Sequence, residues 1–410
     1  MSAAQPYIPG IGEQPQTAQP FRKAKLTELR IWWREIDRVL LVLVLALMAI
    51  GTAAVATASV ASADQLSNEN KTLAEFYFYW PHLRWQAMGL VTMIAAAMLS
   101  KENARRLGIV LAVGMIVALV LVPIPGIGHS VKGAQRWLDL GFRFQPSEFL
   151  KPGFAILLAW ILSWRLRDPN LPVLRAATGV IVLVGGLLML QPNLGAAILF
   201  GGVWFAMMLL AGVPLQRLGL IVGLALAVLI AVYLGYENGR NRIDAFLGGG
   251  VAFDQVDLAR RTLLAGGWTG TGLWLGIRKM SLPEAHTDYI FSVIGEEFGL
   301  LVCGLIVVLY LAILVRVLIR LVDEDNLFTL LAGAGLVTQI CGQAFINILV
   351  NLQLAPSKGM TLPLVSYGGS STIAVCLTVG LLLAITRRNP FLHRETPGLR
   401  AMPTPKESQQ

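Results

Sequence analysis

Ten long apolar stretches recur along the 410 residues of the chain. A helix that crosses the hydrocarbon core of a bilayer needs about 20 predominantly apolar residues. Each stretch reaches or approaches that length, so together they predict an all-α polytopic membrane protein with about ten transmembrane helices. The stretches lie near residues 39–61, 85–100, 107–124, 147–164, 176–190, 195–212, 217–236, 289–315, 326–349 and 370–386.

The composition excludes the main alternatives to a helical membrane protein. Hydrophobic residues make up 55% of the chain and charged residues 14%, whereas an ordinary soluble domain carries roughly 25% charged residues. A soluble enzyme of this length needs more polar surface, and a disordered protein has less apolar sequence. Long uninterrupted apolar runs also argue against an outer-membrane barrel, whose strands alternate in polarity.

The net charge of +9 is explained by membrane topology, and we expect no nucleic-acid partner. Lys and Arg gather in the cytoplasmic loops of membrane proteins. If the N-terminus is cytoplasmic, 20 of the 33 Lys and Arg residues lie inside and 13 outside. We therefore predict that both termini are cytoplasmic. No cleaved signal peptide is expected, since the N-terminus has no early apolar core.

The chain divides into a polar N-terminal arm (1–38), a membrane domain (39–388) and a polar C-terminal tail (389–410). One connection, residues 237–288, is far longer than the others and is predicted to be extracytoplasmic. Its apolar content, including Trp268 and Trp274, is too high for a free linker. We expect this loop to fold back onto the membrane surface.

Basic residues collect on the predicted outer face, against the positive-inside trend. Arg binds phosphate in a bidentate manner and Lys as a point charge, so this collection indicates an anionic ligand. The alternative is pairing with nearby carboxylates such as Asp139, Glu148, Asp244 or Asp257. The basic residues are Arg136, Lys151, Arg240, Arg242, Arg278 and Lys279.

A carboxylate, Asp288, lies at the outer mouth of the eighth apolar stretch. In a low-dielectric boundary region a carboxylate can act as a general base toward a hydroxyl group. The alternative is that Thr287 and Asp288 cap the helix that follows. His286 is more simply interpreted as forming a local hydrogen bond than as a catalytic group.

Two further acidic residues, Glu296 and Glu297, lie roughly 12–14 Å further along the same helix. Carboxylates at that depth are costly unless they face the interior of the bundle. We favour a structural partnership with a buried Arg or Lys, and a role in a substrate groove is the second interpretation.

The segment between Asn351 and Ser366 is too short for a second full span and a turn. With Pro363, Gly368 and Gly369 it predicts a re-entrant or broken segment, which survives at membrane depth only inside protein or along a cavity. Small residues that permit close helix packing are the alternative explanation.

These motifs resemble the SEDS family (shape, elongation, division and sporulation), the FtsW and RodA proteins. The resemblance runs from about residue 38 to 388, and residues 356–363 are more similar to the division member than to the elongation member. The motifs that carry it are residues 133–141, 145–151, 191–195 and 282–290 with 296–299, and residues 347–371.

The resemblance implies a peptidoglycan glycosyltransferase that polymerises lipid II at the outer face of the bacterial cytoplasmic membrane. It implies that Asp288 deprotonates the acceptor 4-hydroxyl while undecaprenyl pyrophosphate leaves. It also implies a cognate class B penicillin-binding protein, an FtsI-like transpeptidase, and other divisome membrane proteins as partners. The substrate-binding residues that we predict are Arg136, Lys151, Arg242, Lys279, Glu297, Lys358, Ser366 and Ser370.

One position departs from the family pattern. Relatives usually have Asp where this chain has Asn193, and Asn keeps the shape but loses the charge. We therefore leave Asn193 out of the catalytic set. No metal cage is visible in the sequence, and a divalent cation, Mg²⁺ or Mn²⁺, is left open as a cofactor.

Two alternatives come from other functional classes. A lipid II flippase or other transporter calls for coupling groups near the bilayer midplane and often for inverted repeats. We find no repeat, and the ionisable residues gather outside, which disfavours transport. A scaffold without chemistry that recruits divisome proteins is the other alternative.

Overall fold

The computed structural model describes residues 30–67, 72–124, 127–131, 134–139, 141, 143–166, 168, 170–191, 193–235, 237, 240, 244, 251–356 and 359–388. Asp37–Arg387 form one compact unit. Residues 30–36 fall outside this unit and include one short helix over 30–35.

Eleven α-helices within the compact unit have both ends among the described residues. They are α1 (Arg38–Leu66), α2 (Tyr79–Ala97), α3 (Lys101–Leu121), α4 (Pro146–Ser163), α5 (Val173–Leu190), α6 (Leu194–Leu210), α7 (Leu215–Gly235), α8 (Val251–Ala265), α9 (Ile290–Val322), α10 (Leu327–Asn351) and α11 (Ser370–Ile385).

Ten of these helices overlap the predicted apolar stretches, and α8 lies in the large loop. Among the described residues, six helices are long and apolar enough to cross a bilayer, namely α1, α3, α4, α5, α9 and α10. Helices α6 and α11 and part of α7 are apolar but shorter. A polytopic helical membrane fold is thus confirmed, while the count of ten spans stays a prediction.

A small antiparallel sheet, which the sequence analysis does not predict, joins α3 to α4. Its strands are β1 (Gly128–Val131), β2 (Ala134–Asp139) and β3 (Arg143–Phe144), in that order. Leu138 pairs with Phe144, and both side chains pack on the end of α3. Strands this short give little periodic signal in a sequence.

Helix α9 is broken at Gly299, where φ is 83° and ψ is 172°. The loop formed by residues 266–272 fits into this break. The main-chain nitrogen of Thr271 donates to the carbonyl of Glu296 at 2.8 Å, and that of Leu300 donates back to the loop at 2.9 Å. The backbone groups that the break releases are therefore satisfied within the protein.

Glycines allow the helices to pack with their backbones in contact. A Cβ added to Gly153 in α4 would lie 2.7 Å from the main-chain nitrogen of Ala112 in α3. A Cβ added to Gly51 in α1 would lie 2.7 Å from the Cα of Val365. The non-helical segment before α11 consequently packs directly on α1, in agreement with a re-entrant segment that is buried in protein.

The predicted cytoplasmic ends of α1 and α9 are joined by a buried carboxylate. Asp37, 1% exposed, caps α1 by accepting from the main-chain nitrogens of Val39 and Leu40. Its Oδ2 also pairs with Arg316 at 2.9 Å and Arg320 at 2.7 Å. These contacts hold the two helix ends at a common height.

Candidate active site

Asp288 lies in the turn of residues 283–289 that leads into α9, and its side chain is half-buried. The helix begins at Ile290 with Tyr289 as its N-cap residue. Asp288 therefore precedes the cap position. The Thr287 hydroxyl donates within the turn, to the Glu284 carboxylate at 2.8 Å. This geometry disfavours helix capping as the reason for a carboxylate at this place.

The main chain of Asp288 is held by two amide side chains of α10. Asn347 Nδ2 donates to the carbonyl oxygen of Asp288 at 2.8 Å, and Asn351 Nδ2 donates to it at 3.1 Å. Ser366 Oγ donates to the preceding carbonyl, that of Thr287, at 2.7 Å. The backbone on both sides of the Thr287–Asp288 peptide bond is thus fixed to other parts of the bundle.

His286 has local partners, as the simpler interpretation of the sequence expects. Its Nδ1 lies 2.7 Å from Ser62 Oγ in α1, and its ring stacks on Phe78 with centroids 4.1 Å apart. Its carbonyl oxygen accepts from the main-chain nitrogen of Tyr367. These contacts attach the turn to α1 and to the segment before α11.

A small pocket opens beside Asp288 between α10 and the segment that begins at Gly359. Its lining residues are Asp288, Tyr289, Ile346, Asn347, Val350, Gly359 and Met360. Asn347 also donates to the Met360 carbonyl at 2.6 Å. One amide group therefore fixes both walls of the pocket, the turn of Asp288 and the segment of Gly359.

Arg136 reaches the same place from the small sheet. A Cβ built on Gly359 lies 3.6 Å from Asp288 Oδ2 and 3.9 Å from Arg136 Nη1. The two side-chain atoms are therefore separated by no more than the sum of these distances. Arg136 Nε donates to the carbonyl of Gln191 at 3.1 Å, which orients the guanidinium. The structure brings the predicted base and one predicted phosphate ligand together.

Asn193 serves as the N-cap of α6, where its Oδ1 accepts from the main-chain nitrogen of Ala196 at 3.4 Å. An amide oxygen supplies this acceptor without a charge. The turn that contains Asn193 also holds Arg136 through the Gln191 carbonyl. The departure from the family pattern therefore leaves a capping oxygen in place.

Lys151 is only 3% exposed and belongs to a buried polar network. Its Nζ lies 2.6 Å from Glu148 Oε1 and 2.6 Å from Gln343 Oε1. The other oxygen of Glu148 accepts from Ser371 Oγ at 2.6 Å, and Gln343 donates to the Thr361 carbonyl at 2.9 Å. This network links α4, α10 and α11, and it engages Lys151 with protein partners.

Lys279 and Glu297 form a buried ion pair, with side chains 2% and 0% exposed. Glu297 also accepts from the main-chain nitrogens of Trp274 at 2.5 Å and Gly276 at 3.2 Å. This geometry matches the structural partnership favoured for the paired glutamates. Whether Lys279 and Glu297 also contact substrate stays a prediction.

The carboxylate of Glu296 binds main-chain nitrogens in the same part of the loop. Its two carboxylate oxygens accept from the main-chain nitrogens of Arg278 at 2.7 Å and Lys279 at 2.8 Å. The adjacent carboxylates therefore secure residues 274–279 against α9.

The other predicted substrate-binding residues are two serines near the start of α11 and two basic residues. Ser366 holds the Asp288 turn and also accepts from the main-chain nitrogen of Leu362 at 2.8 Å. Ser370 begins α11, and its buried Oγ has no hydrogen-bond partner within the described residues. Arg242 and Lys358 lie outside the described residues.

The predicted site residues do not include the amide side chains of α10, some of which hold the walls of the pocket. Gln339, Gln343, Asn347 and Asn351 follow one another at four-residue spacing, which places them on one face of a helix. That spacing could have indicated a polar ladder inside an apolar helix. Its targets, the main-chain oxygens of Asp288, Met360 and Thr361, are distant in sequence and give no local signal.

A comparison with known families decides what kind of protein this is. The family model described as cell cycle protein, covering FtsW, RodA and SpoVE, matches residues 37–390. The chain belongs to this family. The resemblance drawn from the motifs is thus confirmed.

Similar proteins include several named probable peptidoglycan glycosyltransferase FtsW. The protein from Caulobacter vibrioides is 34% identical over 372 residues, covering 90% of this chain and 94% of the relative. The one from Xanthomonas oryzae pv. oryzae is 36% identical over 329 residues, covering 76% and 67%. The one from Pseudomonas fluorescens is 36% identical over 318 residues, covering 74% and 77%.

Solved structures of related proteins share the fold. A chain from a study of how a peptidoglycan synthase complex coordinates polymerization and crosslinking has a TM-score of 0.69 and 27% identity, covering 86% of this chain and 97% of that one. The rod shape determining protein RodA of Thermus thermophilus has a TM-score of 0.63 and 26% identity, covering 87% and 99%. The predicted SEDS fold is confirmed.

Proposed function

We propose that this protein polymerises lipid II into glycan strands at the outer face of the bacterial cytoplasmic membrane, with Asp288 as the general base. It is a peptidoglycan glycosyltransferase, the activity that the names of its FtsW relatives carry. We infer septal wall synthesis in cell division as its cellular role, because FtsW is the family member that these relatives represent.

The observation that carries the proposal is the convergence of Asp288 and Arg136 on Gly359. A carboxylate and a guanidinium that lie beside the same pocket-lining glycine suit a reaction in which a hydroxyl loses a proton and a phosphate group gains charge. Asp288 comes from the turn before α9, and its main-chain carbonyl accepts a hydrogen bond from Asn347 of α10. Arg136 comes from strand β2, and its guanidinium donates to the Gln191 carbonyl.

In the proposed reaction the Asp288 carboxylate takes the proton of the acceptor 4-hydroxyl. The hydroxyl oxygen forms a bond to the anomeric carbon of the donor sugar. The bond from that carbon to the pyrophosphate oxygen breaks, and undecaprenyl pyrophosphate leaves with the electron pair. A transition state of this kind has oxocarbenium character, as in glycoside hydrolysis.

The leaving pyrophosphate needs charge stabilisation more than it needs a proton. Arg136 is a predicted phosphate ligand that approaches Asp288, since both side chains lie beside Gly359. Lys151 and Lys279 are engaged by Glu148 and Glu297. For these two lysines, we propose that substrate binding is secondary to holding the site in shape.

We include a divalent cation, bound jointly by the protein and the substrate, in the proposal. Among the described residues there is no group of three or more His, Cys, Asp or Glu side chains that could hold a metal. Mg²⁺ often binds through one or two carboxylates together with substrate phosphates. Asp288 fits such a shared site, where the ion would neutralise pyrophosphate charge.

We propose a cognate class B penicillin-binding protein of the FtsI-like type as the partner that crosslinks the product. Support comes from the similar chain that was solved in a study of a peptidoglycan synthase complex. Lipid II as substrate, other divisome membrane proteins as partners and a cytoplasmic location of both termini complete the proposal.

The experiment is glycan polymerisation from purified lipid II by the full-length chain co-purified with its class B partner, with transpeptidation blocked. Wild type is compared with Asp288→Asn, which keeps the shape of the side chain and removes the base. We expect product from the wild type and loss of product from the variant.

The matched control is Glu284→Gln, a carboxylate-to-amide change in the same turn. The amide oxygen can still accept from Thr287, so we expect activity to persist. Full activity of Asp288→Asn would overturn the role of Asp288. If neither enzyme polymerised lipid II but both moved it across vesicles, the transporter alternative would replace the proposal.

A further inference from the structure

The end of α8 and the loop between α8 and α9 carry an exposed apolar surface. It is formed by Leu264, Trp268, Leu273, Trp274, Leu275 and Ile277, whose exposed fractions run from 51% to 81%. We name these six residues the apolar loop face. Large apolar side chains that cluster on an exposed surface indicate contact with a membrane or another protein.

The apolar loop face is held in place by polar contacts on its other side. The backbone around Trp274 and Gly276 is anchored by Glu297, and Arg278 is anchored by Glu296. Gln65 at the end of α1 donates to the carbonyls of Met280 and Leu282. The segment that carries Trp274, Leu275 and Ile277 is therefore attached to α9 and α1.

The height of the loop follows from helix geometry. Arg316 and Arg320 mark the predicted cytoplasmic end of α9, where they pair with Asp37. At 1.5 Å per residue, Gly299 lies about 26 Å above Arg316 and about 32 Å above Arg320. The hydrocarbon core is about 30 Å thick, so the break that receives the loop lies at its outer boundary.

At Trp268 the apolar loop face adjoins the exposed apolar side of α9. The main-chain nitrogen of Leu301 donates to the carbonyl of Trp268 at 3.2 Å. Leu301 is 61% exposed, and Leu305 and Val308 continue the exposed surface down the helix at 49% and 58%. An occupant of this surface must therefore meet lipid-exposed helix and loop together.

We propose that the apolar loop face inserts into the outer leaflet of the bilayer at the boundary between headgroups and acyl chains. Its two tryptophans match the preference of Trp for this region. The occupant is bilayer lipid, because the loop adjoins the lipid-facing side of a membrane helix at the height where the hydrocarbon core ends. The insertion fixes the height of the α9 break relative to the leaflet.

The test is quenching of tryptophan fluorescence in nanodiscs that contain the full-length chain. Phosphatidylcholine brominated near the headgroup end of its acyl chains is compared with the unbrominated lipid. The variants are Trp268→Phe, Trp274→Phe and the double variant. We expect wild type to lose emission in brominated lipid and the double variant to lose that quenched component.

The matched control is Trp204→Phe. Trp204 is 7% exposed and lies in α6, so this change is expected to remove emission that lipid does not quench. Phe keeps an apolar side chain at the two loop positions, where no packed interior is disturbed. The single variants show which of the two tryptophans contributes the quenched component.

Two results would overturn the inference. If the emission lost in the double variant is unquenched and red-shifted, the loop faces water. If that emission is unquenched and blue-shifted, protein covers the loop, such as a second copy of the chain. This test does not depend on catalysis, so its outcome is independent of the proposed function.

Discussion

The side-chain amide of Asn347 donates to the main-chain carbonyl of Asp288 at 2.8 Å and, on the other wall of the pocket, to that of Met360 at 2.6 Å. Asn347 is 2% exposed, so no solvent competes for these bonds. Asn347 thus connects the turn of the proposed base directly to the opposite wall of the pocket.

Replacing Asn347 with Leu should therefore lower catalysis more than substrate binding. Loss of the two hydrogen bonds releases the Met360 carbonyl and leaves Asn351 to hold the Asp288 carbonyl alone. A misplacement of about 1 Å at a reacting group can cost about 100-fold in rate. We expect kcat for glycan polymerisation to fall about 10- to 100-fold with a small change in KM.

The control for this variant is Gln339→Leu on the same face of α10. Gln339 is also 2% exposed, but within the described residues its amide has no hydrogen-bond partner. We expect its replacement to leave kcat unchanged. Equal losses in the two variants would show that α10 tolerates no apolar substitution and would remove the special role of Asn347.

Replacing Arg136 with Ala should reduce the rate of glycosyl transfer. Loss of a single donor that stabilises developing negative charge costs about 100- to 1000-fold in kcat. Arg136→Lys should recover part of the rate, since it keeps the charge and loses the fork geometry. Kinetics of lipid II polymerisation by both variants test this, with Arg143→Ala, an exposed neighbour on β3 paired with Asp139, as control.

Replacing Lys151 should lower the stability of the fold. Lys151→Met should destabilise the protein by about 3–5 kcal/mol, because it leaves the largely enclosed Glu148 carboxylate, 14% exposed, without its cation. The double variant Lys151→Met with Glu148→Gln should recover most of that loss. Unfolding of the purified variants in detergent measures this. If stability is unchanged in the single variant while polymerisation is abolished, Lys151 acts on substrate instead.

The sequence predicted the helices and indicated Asp288 as the candidate base, while the supporting contacts depend on distant parts of the chain. Apolar stretches of the required length identify ten helices with no further information, and the motif around Asp288 identifies the carboxylate. The partner of Lys279 is 18 residues away along the chain, and that of Gln343 is 192 residues away. Such pairings follow from packing, which a single sequence does not contain.

The Lys279–Glu297 pair should behave as a unit. Lys279→Met alone should destabilise the fold by about 3–5 kcal/mol, since Glu297 would stay buried and charged. In the double variant with Glu297→Gln, the neutral amide still offers an oxygen to the nitrogens of Trp274 or Gly276. We expect part of the stability to return. A double-mutant cycle on detergent-solubilised protein measures the coupling, and additive effects would exclude it.

The break in α9 provides the last prediction, through a pair of glycines on one helix. Gly299 has a positive φ, and a Cβ there would lie 2.4 Å from the nitrogen of Gly270 and the carbonyl oxygen of Trp268. Gly299→Ala should cost about 1–3 kcal/mol from backbone strain alone, with the clash adding to it. The variant should also loosen the loop of residues 266–272 and lower polymerisation.

Gly304 is the matched control, because a Cβ built there meets nothing within 4 Å. Ala is favoured over Gly inside a helix by roughly 0.5–1 kcal/mol, so Gly304→Ala should retain or slightly raise the unfolding temperature. The two variants are compared by thermal unfolding and by proteolysis of the loop. Equal behaviour would mean that α9 does not need its break, whereas selective loss at Gly299 would show that the inserted loop depends on it.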